Sequence, residues 1–299
     1  DSEVLLNVLA HEIEKTTRGL PLQAADIFAA VRNVHRRVKG SYAVICLIAG
    51  HGVLAFRDPF GIRPLCMGKN GDGNVMLASE SVALEGTGYR FERDVLPGEA
   101  VFIDLNGQVH SQQCADAPVL KPCSFEYVYL ARPDTALDGQ SVHATRVEVG
   151  RRLAREHPVE ADLVIPVPES GTPGAVGYAQ ASGIPFAQGL VKNAYVGRTF
   201  ISPSQTLRQL GIRLKLNPLR EVIAGRRLVV VDDSIVRGNT QRAIVKMLRE
   251  AGAKEVHVRI SSPPVKWPCF YGIDFATRAE LIANNQTVDE IRESIGADS

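Results

Sequence analysis

Hydrophobic residues recur at two different spacings along the chain, and the spacing changes before its middle. In the first part, apolar residues at helical intervals predict helices over residues 4–13 and 27–38. Short apolar or alternating runs then predict strands over residues 42–48, 52–56, 64–68, 75–78, 100–104 and 109–111. Asn106-Gly107 is typical of a hairpin turn. We therefore expect two helices followed by an antiparallel β meander.

Downstream of a stretch that contains Pro118 and Pro122, predicted strands alternate with predicted helices. The strands are expected over residues 163–167, 185–190, 228–231 and 256–260, and the helices over residues 174–182, 241–251 and 288–294. Such alternation is typical of a parallel sheet that helices cover on both faces. We place the boundary near residue 120, which gives domains of residues 1–119 and 120–299.

Composition narrows the class of protein. The 299 residues are 45% hydrophobic and 22% charged, which is ordinary for globular domains, and the length favours two of them. A formal net charge of +1 offers no broad basic field, so we expect no nucleic-acid or membrane partner. The five cysteines are scattered and odd in number, unlike a secreted disulfide framework. No apolar run is long enough to span a membrane, and we expect a cytoplasmic protein.

The sharpest chemical pattern lies at residues 228–240, where an apolar strand is followed by two acids, a short loop and a helix. Ligands of open α/β sheets bind beyond the carboxyl ends of the strands. The N–H groups of the loop and of the helix start suit an anion. Gly238 allows a phosphate to approach closely, Thr240 adds a hydroxyl donor and Arg237 adds charge. The pattern predicts a phosphate cradle.

The two acids, Asp232 and Asp233, are suited to a second task. Carboxylates at a strand tip accept hydrogen bonds from vicinal sugar hydroxyls or hold a hard cation such as Mg²⁺. We expect both to be solvated and to have no structural role. A phosphate cradle beside a diol and metal site describes a pocket for ribose 5-phosphate. The alternative, a capped helix with solvated acids, does not account for the strand, the acids and the Gly-Thr loop together.

A second loop, at residues 169–174, also joins a predicted strand to a predicted helix in the same sheet. Two loops suited to phosphate fit a substrate with a phosphate at one end and a pyrophosphate at the other. An ordinary βα turn remains the alternative for this loop.

A third segment, residues 192–216, is rich in cations and lacks a clear period. Its cations are Lys192, Arg198, Arg208, Arg213 and Lys215. Long loops in compact domains are often lids, and a cationic lid would exclude water and stabilise charge on a leaving group. A solvated surface loop is the alternative.

Residues 230–240 resemble the signature of type I phosphoribosyltransferases. Longer strings at residues 55–65, 125–134, 191–200 and 269–274 resemble the glutamine phosphoribosylpyrophosphate amidotransferase family, and the resemblance extends over essentially the whole chain. It implies a mixed α/β and α+β fold. The C-terminal part of an N-terminal-nucleophile glutaminase domain would occupy residues 1–119, and a type I phosphoribosyltransferase domain with a parallel sheet residues 120–299.

The resemblance implies a two-step activity. Glutamine would be hydrolysed to glutamate, and the ammonia would displace pyrophosphate from phosphoribosyl pyrophosphate (PRPP) to give 5-phosphoribosylamine. This is the first committed step of purine synthesis. The nucleophile of the family is an N-terminal Cys, whereas this chain starts at Asp1, so we expect a chain truncated at both ends.

The resemblance also assigns residues. Asp232 and Asp233 would bind the ribose hydroxyls and Mg²⁺, and Ser170 would contact the metal from the pyrophosphate loop. Asp1 would hold the amino group of glutamine. Lys192, Tyr195 and Arg198 would lie on the flexible loop that closes over the substrate. The remaining substrate-binding positions are Glu169, Gly171, Ser234, Val236, Arg237, Gly238, Asn239 and Thr240. Asn239 and Ala194 depart from the family pattern, which more often has Thr and Arg there.

Further expectations concern cofactors and partners. One branch of the family binds a 4Fe-4S cluster through four Cys, and Cys123 and Cys269 match its first two ligand positions. The family also implies a homotetramer and feedback inhibition by purine nucleotides.

Two rival functions remain open at this stage. A phosphoribosyltransferase acting on a free base would not need the first domain. A non-catalytic regulator that senses PRPP and binds DNA would show a helix-turn-helix segment and a basic face, and the sequence shows neither.

Overall fold

The computed structural model describes residues 2–17, 22–195, 214–273 and 277–299. The chain forms two compact units, and each unit is made of several separate segments of the sequence. The first unit comprises Asp1–Glu126, Ala131–Ser141 and Phe270–Gly272, and the second comprises Tyr127–Leu130, Val142–Cys269 and Ile273–Ser299. The domain boundary near residue 120 stays a prediction.

In its described residues, the first unit contains two antiparallel sheets of three or more strands and a small two-stranded hairpin, residues 136–137 with 140–141. Helices α1 and α2 precede the strands, and a short helix α3 lies among them. The elements are α1 (Ser2–Thr16), α2 (Ala24–Arg37), β1 (Ala43–Ile48), β2 (Gly52–Arg57), β3 (Cys66–Lys69), β4 (Val75–Ala78), α3 (Ser81–Glu85), β5 (Arg90–Asp94), β6 (Glu99–Asp104) and β7 (Val109–Gln113). The larger sheet has the order β1-β2-β6-β7 and the smaller one the order β4-β3-β5. Ile27 and Val31 of α2 pack with Leu54 and Phe102 of the larger sheet in one buried cluster.

The expected meander is wrong in its connections. Strand β2 pairs with β6, as at Phe56 and Ala100, and the intervening strands form the separate sheet. The cause is the turn after β2. The Asp58 carboxylate accepts hydrogen bonds from the N–H groups of Phe60 at 2.9 Å and Ile62 at 3.0 Å, so the chain turns before it can continue the first sheet.

The second unit contains a parallel sheet of order β10-β13-β14. A single π-helical turn (Glu126–Leu130) and a small hairpin, β8 (Ala136–Leu137) and β9 (Gln140–Ser141), precede it in the chain. The other elements are α4 (Val142–Glu156), β10 (Leu163–Pro166), α5 (Thr172–Ser182), β11 (Leu190–Lys192), β12 (Leu216–Pro218), α6 (Arg220–Ile223), β13 (Arg227–Asp232), α7 (Asn239–Glu250), β14 (Glu255–Ile260), a 3₁₀ turn (Arg278–Glu280), α8 (Ile282–Asn285) and α9 (Val288–Ile295). None of the described helices is long and apolar enough to cross a membrane.

Helices cover both faces of this sheet, as the sequence predicts. On one face Val230 of β13 packs in a buried cluster with Ile244 and Leu248 of α7. On the other face Val231 packs in a cluster with Tyr178 of α5. The alternating apolar residues of β13 therefore serve two cores.

Helix α4 is absent from the sequence prediction because a charged residue and a glycine interrupt the apolar residues of its buried stripe. The stripe contains Arg146 and Gly150 as well as Val142, Val147 and Ala154. A side chain at Gly150 would collide with the backbone of Gly174 in α5, so the two helices cross at close range. Close packing of small residues replaces the hydrophobic signal here.

Candidate active site

The two predicted phosphate loops lie side by side because β10 and β13 are neighbours in the sheet. The N–H of Val167 donates to the carbonyl of Val231 at 2.9 Å, and a Cβ at Gly171 would collide with that same carbonyl oxygen. The Ser170 hydroxyl donates to the Asp233 carboxylate. The structure thus brings Ser170 and the acid pair together at the carboxyl edge of the sheet.

The acid pair itself is buried, so the expectation of solvated carboxylates is wrong. Asp232 is 6% exposed and Asp233 is 7% exposed. The cause lies beyond the strand tips, where the N–H groups of Ser261 and Ser262 donate to the carbonyls of Asp232 at 3.0 Å and Asp233 at 2.8 Å. This pairing continues the ladder past β14, so the backbone of both acids lies within the extended sheet.

Internal donors hold both carboxylates. Asp232 accepts from the N–H of Asp233 at 2.9 Å and from the side-chain amide of Gln241. Asp233 accepts from the hydroxyls of Ser170 and Ser234, the latter at 2.5 Å. The carbonyl oxygen of the Gln241 side chain is buried and has no hydrogen-bond partner in the described part of the chain.

Burial and mutual repulsion set the electrostatics of the pair. Burial, followed by the charge of Asp233, raises the pKa of Asp232 well above its ordinary value. Burial also raises the pKa of Asp233, while hydrogen bonds from Ser170 and Ser234 and the charge of Arg146 oppose that rise. Two adjacent buried carboxyls resist double ionisation, and a cation beside them would favour it.

The donor set at the pair fits Mg²⁺. Its side chains offer carboxylate and hydroxyl oxygens, which are the hard ligands that Mg²⁺ takes. The described residues contain no group of three or more His, Cys, Asp or Glu that could form an all-protein metal cage. Mg²⁺ commonly needs only one or two carboxylates, and substrate phosphates and water complete its shell.

The predicted phosphate cradle is the loop after the acids and the start of α7. Gly238 adopts a left-handed conformation with φ of 76°, and no side chain caps the helix. A side chain at Gly238 would meet Ile282, whose N–H donates to the carbonyl of Val236 at 3.0 Å. A helix of 12 residues that begins without a side-chain cap presents N–H groups and a positive dipole end.

The polar side chains of the cradle have internal partners. Arg237 forms an ion pair with Glu280 at 2.6 Å, and both side chains are partly exposed. The Asn239 side chain accepts from Arg242 at 3.2 Å, and Thr240 is exposed. Backbone groups and the Thr240 hydroxyl are therefore the readiest donors to a phosphate here.

The second predicted loop, residues 169–174, lies beside the side chain of Lys192. The Glu169 carboxylate lies 3.5 Å from the Lys192 ammonium, and the peptide bond between Pro168 and Glu169 is cis. Lys192 ends β11, which pairs with β12, and the N–H of Asn193 donates to the carbonyl of Lys215 at 2.7 Å. Both ends of the predicted lid are thus anchored beside the loop.

The centre of the predicted lid is not described. Tyr195 is 99% exposed at the end of the described segment. Arg198, Arg208 and Arg213 lie outside the described residues, as does Asp1. Their roles stay predictions.

Two site residues escaped the sequence analysis. Gln241 lies in the first turn of α7 and contacts Asp232. Arg146 lies on the buried stripe of α4, is 7% exposed, and acts on Asp233 through its charge. The only available signal for Arg146 was its helical spacing with Val142 and Gly150.

The cysteines divide into two sets. Burial raises the pKa of Cys66 to about 12 and that of Cys114 to about 11, and it also raises the pKa of Cys46. These thiols are protonated at neutral pH and suit packing. Cys123 belongs to the first unit and Cys269 to the second, and both are partly exposed.

Family models define the class of protein. A glutamine amidotransferase domain matches residues 1–86, and a phosphoribosyl transferase domain matches residues 145–261. The predicted fold class is confirmed: a glutamine amidotransferase domain is followed by a phosphoribosyltransferase domain with a parallel sheet.

Individual relatives show which proteins the chain is similar to. Amidophosphoribosyltransferases of Mycobacterium tuberculosis and Escherichia coli are 60% and 50% identical over all of this chain, which spans 55% and 61% of their lengths. The structure of glutamine PRPP amidotransferase from B. subtilis, complexed with ADP and GMP, matches 98% of this chain and 62% of its own with a TM-score of 0.85 and 47% identity. The chain is similar over its whole length to amidophosphoribosyltransferases and spans a little over half the length of the curated relatives it matches.

Proposed function

We propose that this chain holds the transferase site of an amidophosphoribosyltransferase. It binds PRPP, and ammonia displaces pyrophosphate to give 5-phosphoribosylamine. In the whole protein glutamine supplies the ammonia and leaves as glutamate, in the first committed step of purine synthesis. The observation that carries the proposal is the hydrogen bond from Ser170 to Asp233, which joins two phosphate-suited loops beside the uncapped start of α7.

Each part of PRPP has a matching part of the site. The start of α7, with Val236, Gly238 and Thr240, takes the 5-phosphate on backbone and hydroxyl donors. The acid pair takes the ribose hydroxyls. The loop of Glu169, Ser170 and Gly171 takes the pyrophosphate. Lys192, Tyr195 and Arg198 cover the pyrophosphate, exclude water and stabilise its charge as it leaves.

Mg²⁺ would be held by Ser170, Asp232 and Asp233 together with substrate oxygens. When bound it supplies positive charge that stabilises the departing pyrophosphate. An iron–sulfur cluster does not fit the described residues by themselves. Cys123 and Cys269 offer two thiolates, whereas a 4Fe-4S cluster takes four. These two cysteines stay predicted ligands in a longer protein.

Regulation and assembly follow from the family. The B. subtilis enzyme is described as a complex with ADP and GMP, and we propose that purine nucleotides bind and inhibit this protein too. We keep a homotetramer, a cytoplasmic location and domains of residues 1–119 and 120–299 as parts of the proposal.

Pyrophosphate release tests the proposal. The chain is incubated with PRPP and Mg²⁺, and ammonia, glutamine, adenine or orotate is added as the acceptor. We expect release that depends on ammonia. Release with adenine or orotate, and none with ammonia, would assign the site to a free-base transferase.

A further inference from the structure

The side chain of Gln241 joins two parts of the proposed PRPP site. Gln241 lies in the first turn of α7, and the start of that helix is the proposed cradle for the 5-phosphate. Its side-chain amide nitrogen donates to the Asp232 carboxylate, which is a proposed partner of the ribose hydroxyls. One side chain thus connects the element that would bind the phosphate to the acid that would bind the sugar.

The amide of Gln241 is only partly satisfied. Gln241 is 2% exposed, and its side-chain carbonyl oxygen is buried without a hydrogen-bond partner in the described part of the chain. Among the described residues, one other buried side-chain polar atom lacks a partner, the hydroxyl oxygen of Ser262. The N–H of Ser262 donates to the carbonyl of Asp233. Both unsatisfied oxygens therefore belong to residues that are bonded to the acid pair, and such exceptions in a folded protein require an explanation.

Packing of α7 does not require an amide at this position. A buried acceptor without a partner costs a free energy comparable to what a hydrogen bond contributes, so the amide adds little net stability. A methionine has a similar length and would leave no unsatisfied carbonyl. What the amide adds, and an apolar side chain cannot, is a fixed direction for the Asp232 carboxylate. The other buried residues of α7 are apolar, namely Ile244, Val245, Met247 and Leu248.

We propose that Gln241 is a positioning residue, which holds the Asp232 carboxylate in a fixed place relative to the start of α7. The phosphate and the vicinal hydroxyls of a ribose 5-phosphate group are a set distance apart, so one ligand can use both elements only if their separation matches. A carboxylate that is already oriented also loses less freedom when the hydroxyls bind. This inference rests on the proposed function and deepens it. Gln241 acts through Asp232 and does not itself contact the substrate.

The test is the preference for ribose 5-phosphate over 2-deoxyribose 5-phosphate, measured by calorimetry in Mg²⁺ with the whole chain. The two sugars differ by one hydroxyl, so the ratio of their affinities reports on the sugar-binding acids and cancels a general weakening of the phosphate cradle. We expect wild type to prefer ribose 5-phosphate roughly tenfold, as a hydrogen bond to a charged group gives. In Gln241→Met the preference should fall to about threefold or less, because the carboxylate remains but is no longer oriented.

Gln180→Met is the matched control. Gln180 is exposed on α5, where its side chain accepts from Arg151, so the same chemical change is made away from the acid pair. This variant should keep the preference of wild type.

The outcomes separate the role of Gln241 from the proposed function. A preserved preference in Gln241→Met, or an equal weakening for both sugars, would overturn the role of Gln241. If Gln241→Met does not fold, Gln241→Leu, which also lacks a donor, replaces it, and an unchanged preference there would overturn the role as well. If wild type binds the two sugars equally, or binds neither, the proposed ribose site itself fails.

Discussion

Buried charge is handled differently in the two compact units. In the first unit Arg57 is 1% exposed and donates to both carboxylate oxygens of Asp138, at 2.8 and 3.0 Å. It also donates to the carbonyls of Gly61, Arg63 and Val95. In the second unit, Asp232 and Asp233 bury like charges side by side, and their pKa values are raised. Complete pairing suits a structural role, whereas a strained like-charge pair beside a loop suits ligand binding.

The largest expected effect concerns the structural pair. Asp138→Asn keeps the shape of a residue with a positive φ of 48° and leaves Arg57 buried without its counter-charge. We expect the free energy of unfolding to fall by about 3–5 kcal/mol, measured by denaturant titration. Asp134→Asn, in an exposed pair with Arg132, is the control and should cost less than about 1 kcal/mol. Equal losses in the two variants would contradict the comparison.

The acid pair should show the opposite pattern. We expect Asp232→Asn with Asp233→Asn to weaken Mg²⁺-dependent PRPP binding by at least about a hundredfold, because both the cation and the diol lose their charged partners. Stability should stay the same or rise, since two repelling carboxyls are gone. Calorimetry and denaturant titration measure the two effects. A large loss of stability with unchanged affinity would assign the pair to the core.

A smaller effect is expected at the link between the two loops. Ser170→Ala removes the hydroxyl that donates to Asp233. We expect PRPP binding in Mg²⁺ to weaken about tenfold, which corresponds to about 1.4 kcal/mol. Ser182→Ala, whose hydroxyl lies at the end of α5, is the control. Binding as tight as wild type in Ser170→Ala would remove Ser170 from the metal site.

The last effect concerns pH and the first unit, and it appears only in acidic solution. Burial lowers the pKa of His35 from 6.5 to about 4. The unfolded chain therefore binds a proton first as the pH falls, so the stabilising effect is complete above pH 6.5 and is lost between pH 6.5 and about 4. In His35→Gln the free energy of unfolding should fall less over this window. Parallel curves for the two proteins would show that His35 does not titrate as described.

Local signals made the second unit more predictable than the first. The apolar run of β13, the adjacent acids and Gly238 are contiguous, so strand, loop and helix could be placed together. The pairing of β2 with β6 depends on a turn fixed by the Asp58 side chain and on residues more than 40 positions away. No local pattern encodes such a pairing.

The burial of Asp232 and Asp233 could not be predicted from the sequence, for a related reason. The backbone of Asp232 and Asp233 pairs with residues that follow β14, and Gln241 donates to the Asp232 carboxylate; these partners are distant in sequence or polar. Arg146 sits on a helix whose close packing relies on Gly150. Sequence therefore indicated the reacting groups, while the residues that support them required the fold.

The acid pair and the start of α7 together form the proposed PRPP site. The most direct measurement is calorimetric titration of PRPP into the wild-type chain, with and without Mg²⁺. We predict saturable binding of one PRPP per chain that Mg²⁺ strengthens and that excess inorganic pyrophosphate displaces. Absence of binding in a sample with native circular dichroism, or binding that is indifferent to Mg²⁺, would contradict the account.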